Sequence, residues 1–198
     1  MRNRARLASL VLLGALGGIA GCATLQQIAA LRQVDFAIDR VANARLAGVS
    51  LDRVRDAQSL GALDIARIGA ALAAGRMPFA IELHLTGLNP AANNVAARLV
   101  QMDWTLLLDE RETISGSLDR EFVFEPGVAT DVPIDVQLDL ADFFANNAQD
   151  MIDLALAVAG AGGEPKRIAL LATPTVQTSL GPIRYPQPIR IVSGTLGG

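Results

Sequence analysis

Few side chains in this sequence can carry chemistry. Among 198 residues there is one Cys, Cys22, and one His, His84. A single Cys cannot build a disulfide framework or a multi-cysteine metal site. A single His argues against a His-based triad or a His-ligated metal cluster. His84 lies on the outward phase of an alternating segment, with no Cys, Ser or acid at useful sequence spacing, so it is expected as a surface residue. Asp131, Asp135 and Asp139 recur with period 2. A calcium site needs several oxygens converging within a loop. Alternate positions on an extended strand lie about 6.6 Å apart, so this row cannot converge alone; it reads as a solvated face that keeps a strand edge charged. Ser115, Ser117 and Ser179 lack a G-x-S-x-G elbow, which disfavours a hydrolase. Trp104, on a leucine-rich segment, reads as packing rather than a binding-face aromatic. The run Asn89-Pro90 to Asn93-Asn94 reads as a structural turn, because Asn side chains bond nearby backbone.

The composition narrows the classes further. Hydrophobic residues make up 51% of the chain and charged residues 19%, too apolar for a disordered protein. A net charge of -3 argues against a nucleic-acid protein, which is usually basic. With 1 Trp, 1 Tyr and 6 Phe, stacking platforms for single strands are lacking too. No catalytic residue, metal or cofactor is indicated. The expectation is a non-enzymatic protein.

The apolar residues are not evenly spread. Arg2, Arg4 and Arg6 make a basic start, residues 7–20 carry no charge, and small residues lead to Cys22. This is the layout of a secretory signal. Its uncharged core is shorter than the ~20 residues that span a bilayer as a helix. Ile19-Ala20-Gly21-Cys22 resembles the lipobox of bacterial lipoproteins. That resemblance implies that the Cys22 thiol receives a diacylglycerol and that a signal peptidase, recognising Ile19, Ala20 and Gly21, cuts before it. Removal of residues 1–21 takes Lys+Arg from 17 to 14 against 20 Asp+Glu, so the mature charge is -6. Several acyl carbons at ~0.8 kcal/mol each, on more than one chain, anchor such a protein firmly to a membrane. Ala23 follows the Cys, where an Asp would favour inner-membrane retention in enterobacteria, so the pattern favours an outer-membrane lipoprotein facing the periplasm.

Residues 22–33 are expected as a lipidated tether, with Leu25, Ile28 and Leu31 at helical spacing. Residues 34–193 then form the folded domain, and 194–198 a flexible tail. Val34, Phe36 and Ile38 alternate with polar or small residues, predicting a strand that continues, bent, to position 49. Ser50 is a partial cap for a helix over 51–74, whose stripe is Leu60, Leu63, Ile65, Ile68 and Leu72 and whose stop is Gly75. Phe79, Ile81, Leu83 and Leu85 form a second inward row, ended by a turn over 87–94. A strand over 95–108 meets a hairpin tip at Asp109-Glu110-Arg111 and returns over 112–118, with Gly116 marking a bulge or bend. A short strand over 120–124 closes at Pro126-Gly127. Val132, Ile134, Val136, Leu138 and Leu140 give the cleanest alternation, and Pro133 fits an edge. Residues 141–159 read as helix, with Phe143, Phe144, Met151, Ile152 and Leu156 as buried positions. Strands over 167–171 and 175–180 follow, the latter pairing with 189–192. Seven or so strands with two helical excursions predict an immunoglobulin- or fibronectin-III-like antiparallel β-sandwich.

The order of these pieces resembles the late embryogenesis abundant type 2 family, whose module is also called the WHy domain. The carriers are Leu85-Thr86-Gly87-Leu88-Asn89-Pro90, Leu106-Leu107-Leu108, Ile114-Ser115-Gly116, Phe124-Glu125-Pro126-Gly127 and Val132-Pro133-Ile134-Asp135-Val136. Ala91 stands where the family often has Asn. The helical insert over 51–74 resembles bacterial lipoprotein members more than plant ones. The resemblance implies an immunoglobulin- or fibronectin-like sandwich, no catalytic residues, and protection of proteins or membranes against desiccation or other stress. Its partners would be the membrane, through lipid on Cys22, with protein clients or an envelope partner; no nucleic acid is implied. The alternative is an accessory or assembly subunit that docks another envelope protein. Cys22→Ala is expected to abolish incorporation of labelled fatty acid and to stop release of the mature form. Unchanged processing would remove the lipobox reading.

Overall fold

The computed structural model of the chain describes residues 33–55, 57–143, 148–161, 167–178 and 180–192. These residues form two antiparallel sheets packed face to face, with two helices. In chain order the elements are β1 (Asp35–Leu46), β2 (Val49–Ser50), α1 (Ala62–Ala73), β3 (Pro78–Leu88), β4 (Ala97–Leu108), β5 (Arg111–Leu118) and β6 (Phe122–Phe124). They continue with β7 (Ala129–Asp139), α2 (Ala148–Val158), β8 (Ile168–Thr178), β9 (Gly181–Arg184) and β10 (Ile189–Val192). The first sheet has the order β2-β1-β3-β7. The second has the order β10-β8-β4-β5, with β6 paired to β4 and β9 to β8. The mainly-β sandwich with helical insertions expected from the alternation is therefore present.

Period-2 rows build the interface between the sheets. Phe79, Ile81, Leu83 and Leu85 of β3 are buried, as are Val132, Ile134, Val136 and Leu138 of β7. Leu99, Met102, Trp104 and Leu106 of β4 and Leu170, Ala172 and Val176 of β8 meet them from the other sheet. Burial at this depth contributes about 1.5–3 kcal/mol per large aliphatic side chain, which offsets chain entropy. β7 lies at the edge of its sheet, where a proline such as Pro133 is tolerated.

The first strand is shorter than its sequence suggests. β1 has register shifts between Ile38 and Arg40 and between Ala42 and Arg45, which supply the bend. It then reverses at Ala47 and Gly48, with φ of 49° and 79°, to pair Leu46 with Val49. Two residues of positive φ match the strand twist of a tight hairpin, and Gly48 takes this conformation without a Cβ penalty. Ser50 consequently sits in β2 and bonds Asp52 at 3.0 Å instead of capping a helix. The helix expected over 51–74 is confined to α1 and a 3-10 turn at Ala57–Ser59. Gly61 is its N-cap, with no side-chain cap bond, and Gly75 stops it at φ 67°. Of its stripe only Ile68 is fully buried; Leu63 and Ile65 are 66% and 57% exposed.

Three further expectations change. Residues 168–178 form one strand, not two, because β4 pairs with it from Ile168 to Val176, across Pro174. β10 pairs with Ala169–Ala172 of β8, and the second half of β8 pairs with β9. The helix expected over 141–159 is a 3-10 turn at Leu140–Asp142 followed by α2. Met151 and Leu156 are buried and Ile152 half-buried, but Phe143 is 44% exposed; Phe144 lies outside the described residues. Both helices sit at the end of the sandwich where β1 finishes and β3 begins.

Two glycines are set by aromatic rings. Gly116 pairs with Trp104, and a Cβ there would lie 2.4 Å from Trp104 Cζ2. The register shift in this hairpin falls instead at Leu106 and Leu107. Gly116 therefore makes room for the indole and is not a bulge. At Gly87 a Cβ would lie 2.4 Å from Phe124 Cε1, where Phe36 and Phe124 meet edge-on with centroids 5.4 Å apart. Gly116→Ala is expected to cost about 1–3 kcal/mol through overpacking. Urea unfolding followed by far-UV circular dichroism measures this, and Gly116→Ala combined with Trp104→Phe should recover part of the loss.

Candidate functional site

Two polar constellations are built by strand pairing rather than by sequence proximity. The first closes the β3–β4 connection. β3 runs on through Gly87 and Leu88, so the turn is shorter than 87–94 and centres on Pro90 and Asn93, whose N–H bonds Pro90 O at 2.9 Å. Asn89 is fully buried. Its amide donates to Phe124 O at 2.8 Å and to Val95 O at 3.2 Å, and its Oδ1 accepts from Asn93 Nδ2 at 2.8 Å. Gly127 N–H bonds Asn89 O at 2.7 Å, at a position where φ is 76°. The side chain thus ties its own turn to the Pro126-Gly127 corner. It holds backbone carbonyls rather than the amides that an Asn turn usually holds, and its bonds are all internal.

The second constellation surrounds His84. The outward phase is as expected, but His84 is buried, with 6% of its surface exposed. Arg40 of β1 and Asp131 of β7 reach it from the flanking strands, and Glu82 from its own. Nε2 is 2.5 Å from Glu82 Oε1, and Nδ1 is 2.9 Å from both Asp131 oxygens and from Arg40 Nη2. A neutral imidazole carries one N–H. With that proton on Nε2, it donates to Glu82 while Nδ1 accepts from Arg40. With both nitrogens protonated, Nδ1–H donates to Asp131 and Arg40 turns to the carboxylates beside it. Arg40 already lies 2.7 Å from Asp39 and 3.9 Å from Asp131, and Asn43 bonds Glu82 at 3.3 Å. The array joins β1, β3 and β7 on the outer face of their sheet.

This arrangement can neutralise carboxylates and fix strands. The two nitrogens point to opposite sides of the ring and each is occupied, so Glu82, His84 and Asp131 do not converge on one point. Among the described residues no group of three or more His, Cys, Asp or Glu could hold a metal ion. The acidic row divides in the same way. Asp131 serves His84, Asp135 is exposed, and Asp139 Oδ1 accepts from Met77 N at 2.6 Å and Ala141 N at 3.1 Å. Ser115 pairs with Thr105 at 2.8 Å and Ser117 with Asp119 at 3.0 Å. Ser179, the tether and its Cys22, the lipobox residues Ile19, Ala20 and Gly21, and the tail lie outside the described residues. Trp104 is 6% exposed, in the core as expected, and its Nε1 has no hydrogen-bond partner among the described residues. No helix among the described residues is long and apolar enough to cross a membrane.

Sequence reading missed Arg40, Glu82 and Asp131 as partners of His84. Arg40 and Asp131 stand 44 and 47 positions away, so only the registers Arg40↔His84 and Thr86↔Asp131 reveal them. Glu82 at i−2 was on the same strand face and was the one legible signal.

No protein-family model matches the chain, and no curated protein matches it. Among solved structures the chain is similar to a crystal structure of a protein from Archaeoglobus fulgidus, at 12% identity and a TM-score of 0.32, covering 60% of this chain and 88% of that one.

Asn89→Ala removes three internal hydrogen bonds at a fully buried position and is expected to cost about 1–3 kcal/mol for each group left unsatisfied. Asn89→Asp should also destabilise, because a carboxylate cannot donate to Phe124 O and Val95 O. Urea midpoints of the two variants check both; an Asp variant as stable as the parent would count against the donor role.

Proposed function

We propose that the chain is a lipid-anchored, non-enzymatic protein of the bacterial envelope whose WHy-type sandwich protects proteins or membranes under desiccation or other stress by surface contact. The observation that carries the reading is the Ile19-Ala20-Gly21-Cys22 run ahead of a two-sheet sandwich. Two features of the described residues support it. The lone imidazole has both nitrogens engaged by Glu82, Asp131 and Arg40, so it is not itself free to act as a base on a substrate. The serines that alternate on β5 are exposed and bond Thr105 and the exposed Asp119, away from the imidazole. Ala23 after the Cys favours the outer membrane, with the sandwich in the periplasm.

A second reading, an accessory subunit that docks another envelope protein, is favoured by one observation. Leu63 and Ile65 of α1 are turned outward at the helical end of the sandwich. Crosslinking followed by pull-down separates the two readings, since a single stoichiometric partner supports docking.

The protective role predicts that the purified mature protein preserves the activity of a labile enzyme through drying or freeze–thaw better than an equal mass of albumin. Recovery equal to that with albumin overturns it.

A further inference from the structure

The two ends of the sandwich differ in chemistry. At one end lie α1, α2 and the β4–β5 tip, with Asp64, Arg67, Arg76, Asp109, Glu110, Arg111 and Glu112. The other end is formed by the start of β1, the end of β3, the β3–β4 and β6–β7 connections and the β8–β9 tip. The registers Asp35↔Leu88↔Ala129 and Ala97↔Phe124, with Thr178↔Gly181 beyond Leu99↔Val176, place these segments together. From Thr86 to Ala97 there is no ionisable side chain, nor is there one in 126–130 or 180–183. Among the described residues, three large aliphatic side chains at this end face solvent: Leu88 is 41% exposed, Val128 53% and Leu180 72%. Asp35, Glu125 and Asp131 border these runs, as do Arg98, paired with Glu121, and Arg184, paired with Asp103, so net attraction to anionic lipid is not what holds this end.

The chain arrives at this same end. The described residues begin at Gln33 and β1 starts at Asp35, opposite Leu88. From Cys22 to Gln33 the chain reaches at most roughly 40 Å, at about 3.6 Å per residue. β3 is 11 residues long, so the sandwich measures roughly 36 Å from end to end at 3.3 Å per residue. A tether from Cys22 would need nearly all its reach to bring the helical end to the surface that holds the lipid. It brings the uncharged end there with slack to spare.

We propose that this uncharged end, through Leu88, Val128 and Leu180, rests in the headgroup region of the phospholipid bilayer that carries the lipid on Cys22. This rests on the lipoprotein reading above. Shallow aliphatic contact of this kind adds to an acyl anchor and fixes the orientation of the sandwich, with the polar outer faces of both sheets and the helical end directed away from the lipid.

The test uses the full chain, matured in a bacterial host and reconstituted into phosphatidylcholine–phosphatidylethanolamine vesicles. Leu180→Cys, Val128→Cys and, on exposed α1, Ala66→Cys each receive a polarity-sensitive thiol fluorophore. Thioether formation at Cys22 leaves the introduced thiol alone to react. Probes at 180 and 128 are expected to shift to the blue and to lose at least half their emission to nitroxide-bearing lipid, while the probe at 66 does neither. Having two probe sites guards against failure of one variant to fold. Water-like emission at 180 and 128, with diacylglyceryl mass present on Cys22, overturns this inference and leaves the lipoprotein reading intact. Blue-shifted emission that nitroxide lipid does not quench shows a second copy or another protein on this end, and also overturns it. A wild-type chain whose Cys22 reacts with the fluorophore and lacks the lipid mass overturns the lipoprotein reading and this inference with it.

Discussion

The inward row of β3 is the constraint on which the rest of the structure depends. Phe79, Ile81, Leu83 and Leu85 are all at most 5% exposed, and β3 pairs with β1 on one side and β7 on the other over its full length. A one-residue slip would turn the entire row to solvent and bring Glu82, His84 and Thr86 into the core. The register that avoids this also brings Arg40, Glu82, His84 and Asp131 together on the opposite face. The polar array around His84 is therefore a consequence of apolar burial beneath it. The two sides of one strand hold the same register for different reasons.

Irregular backbone is held by polar side chains, buried in some places and exposed in others. Asn89 serves the β3–β4 turn, and Asp139 receives the chain where β7 gives way to its 3-10 turn. The β4–β5 tip is built from Asp109 and Glu110 at φ of 47° and 67°, a conformation that L residues adopt at some cost. Asp109 N–H and carboxylate bond Arg167, and Glu110 pairs with Arg190 at 2.6 Å. These contacts join the tip to β8 and β10, so the strained hairpin is supported by its neighbours in space. Gly87 and Gly116 play the complementary part, leaving volume that Phe124 and Trp104 fill.

Much of the fold was legible because burial on one face of a sheet writes itself as period 2. β3, β4, β5 and β7 were readable from their alternation, as were the Gly75 stop, the Asp109-Glu110 tip and the edge position of Pro133. Failures fell where local pattern and tertiary demand diverge. The stripe of α1 has helical spacing, yet the sandwich end offers room for Ile68 and leaves Leu63 and Ile65 outside. The continuous β8 looked interrupted because Pro174 breaks the run. Nothing in the sequence announces that β4 and β9 pair on either side of it. His84 was read as exposed because its partners lie on other strands.

The sequence by itself determined the two-sheet class, the inward rows, and the lone Cys22 behind an uncharged segment. These depend on residue type and short-range spacing, which need no knowledge of the partner surface. Only the tertiary structure decided which strands are neighbours, why Gly116 and Gly87 must lack a Cβ, and that Leu88, Val128 and Leu180 share one uncharged end. Each of these is a relation between positions tens of residues apart. Such relations arise when sheet register and inter-sheet packing are satisfied together, and no local periodicity encodes them.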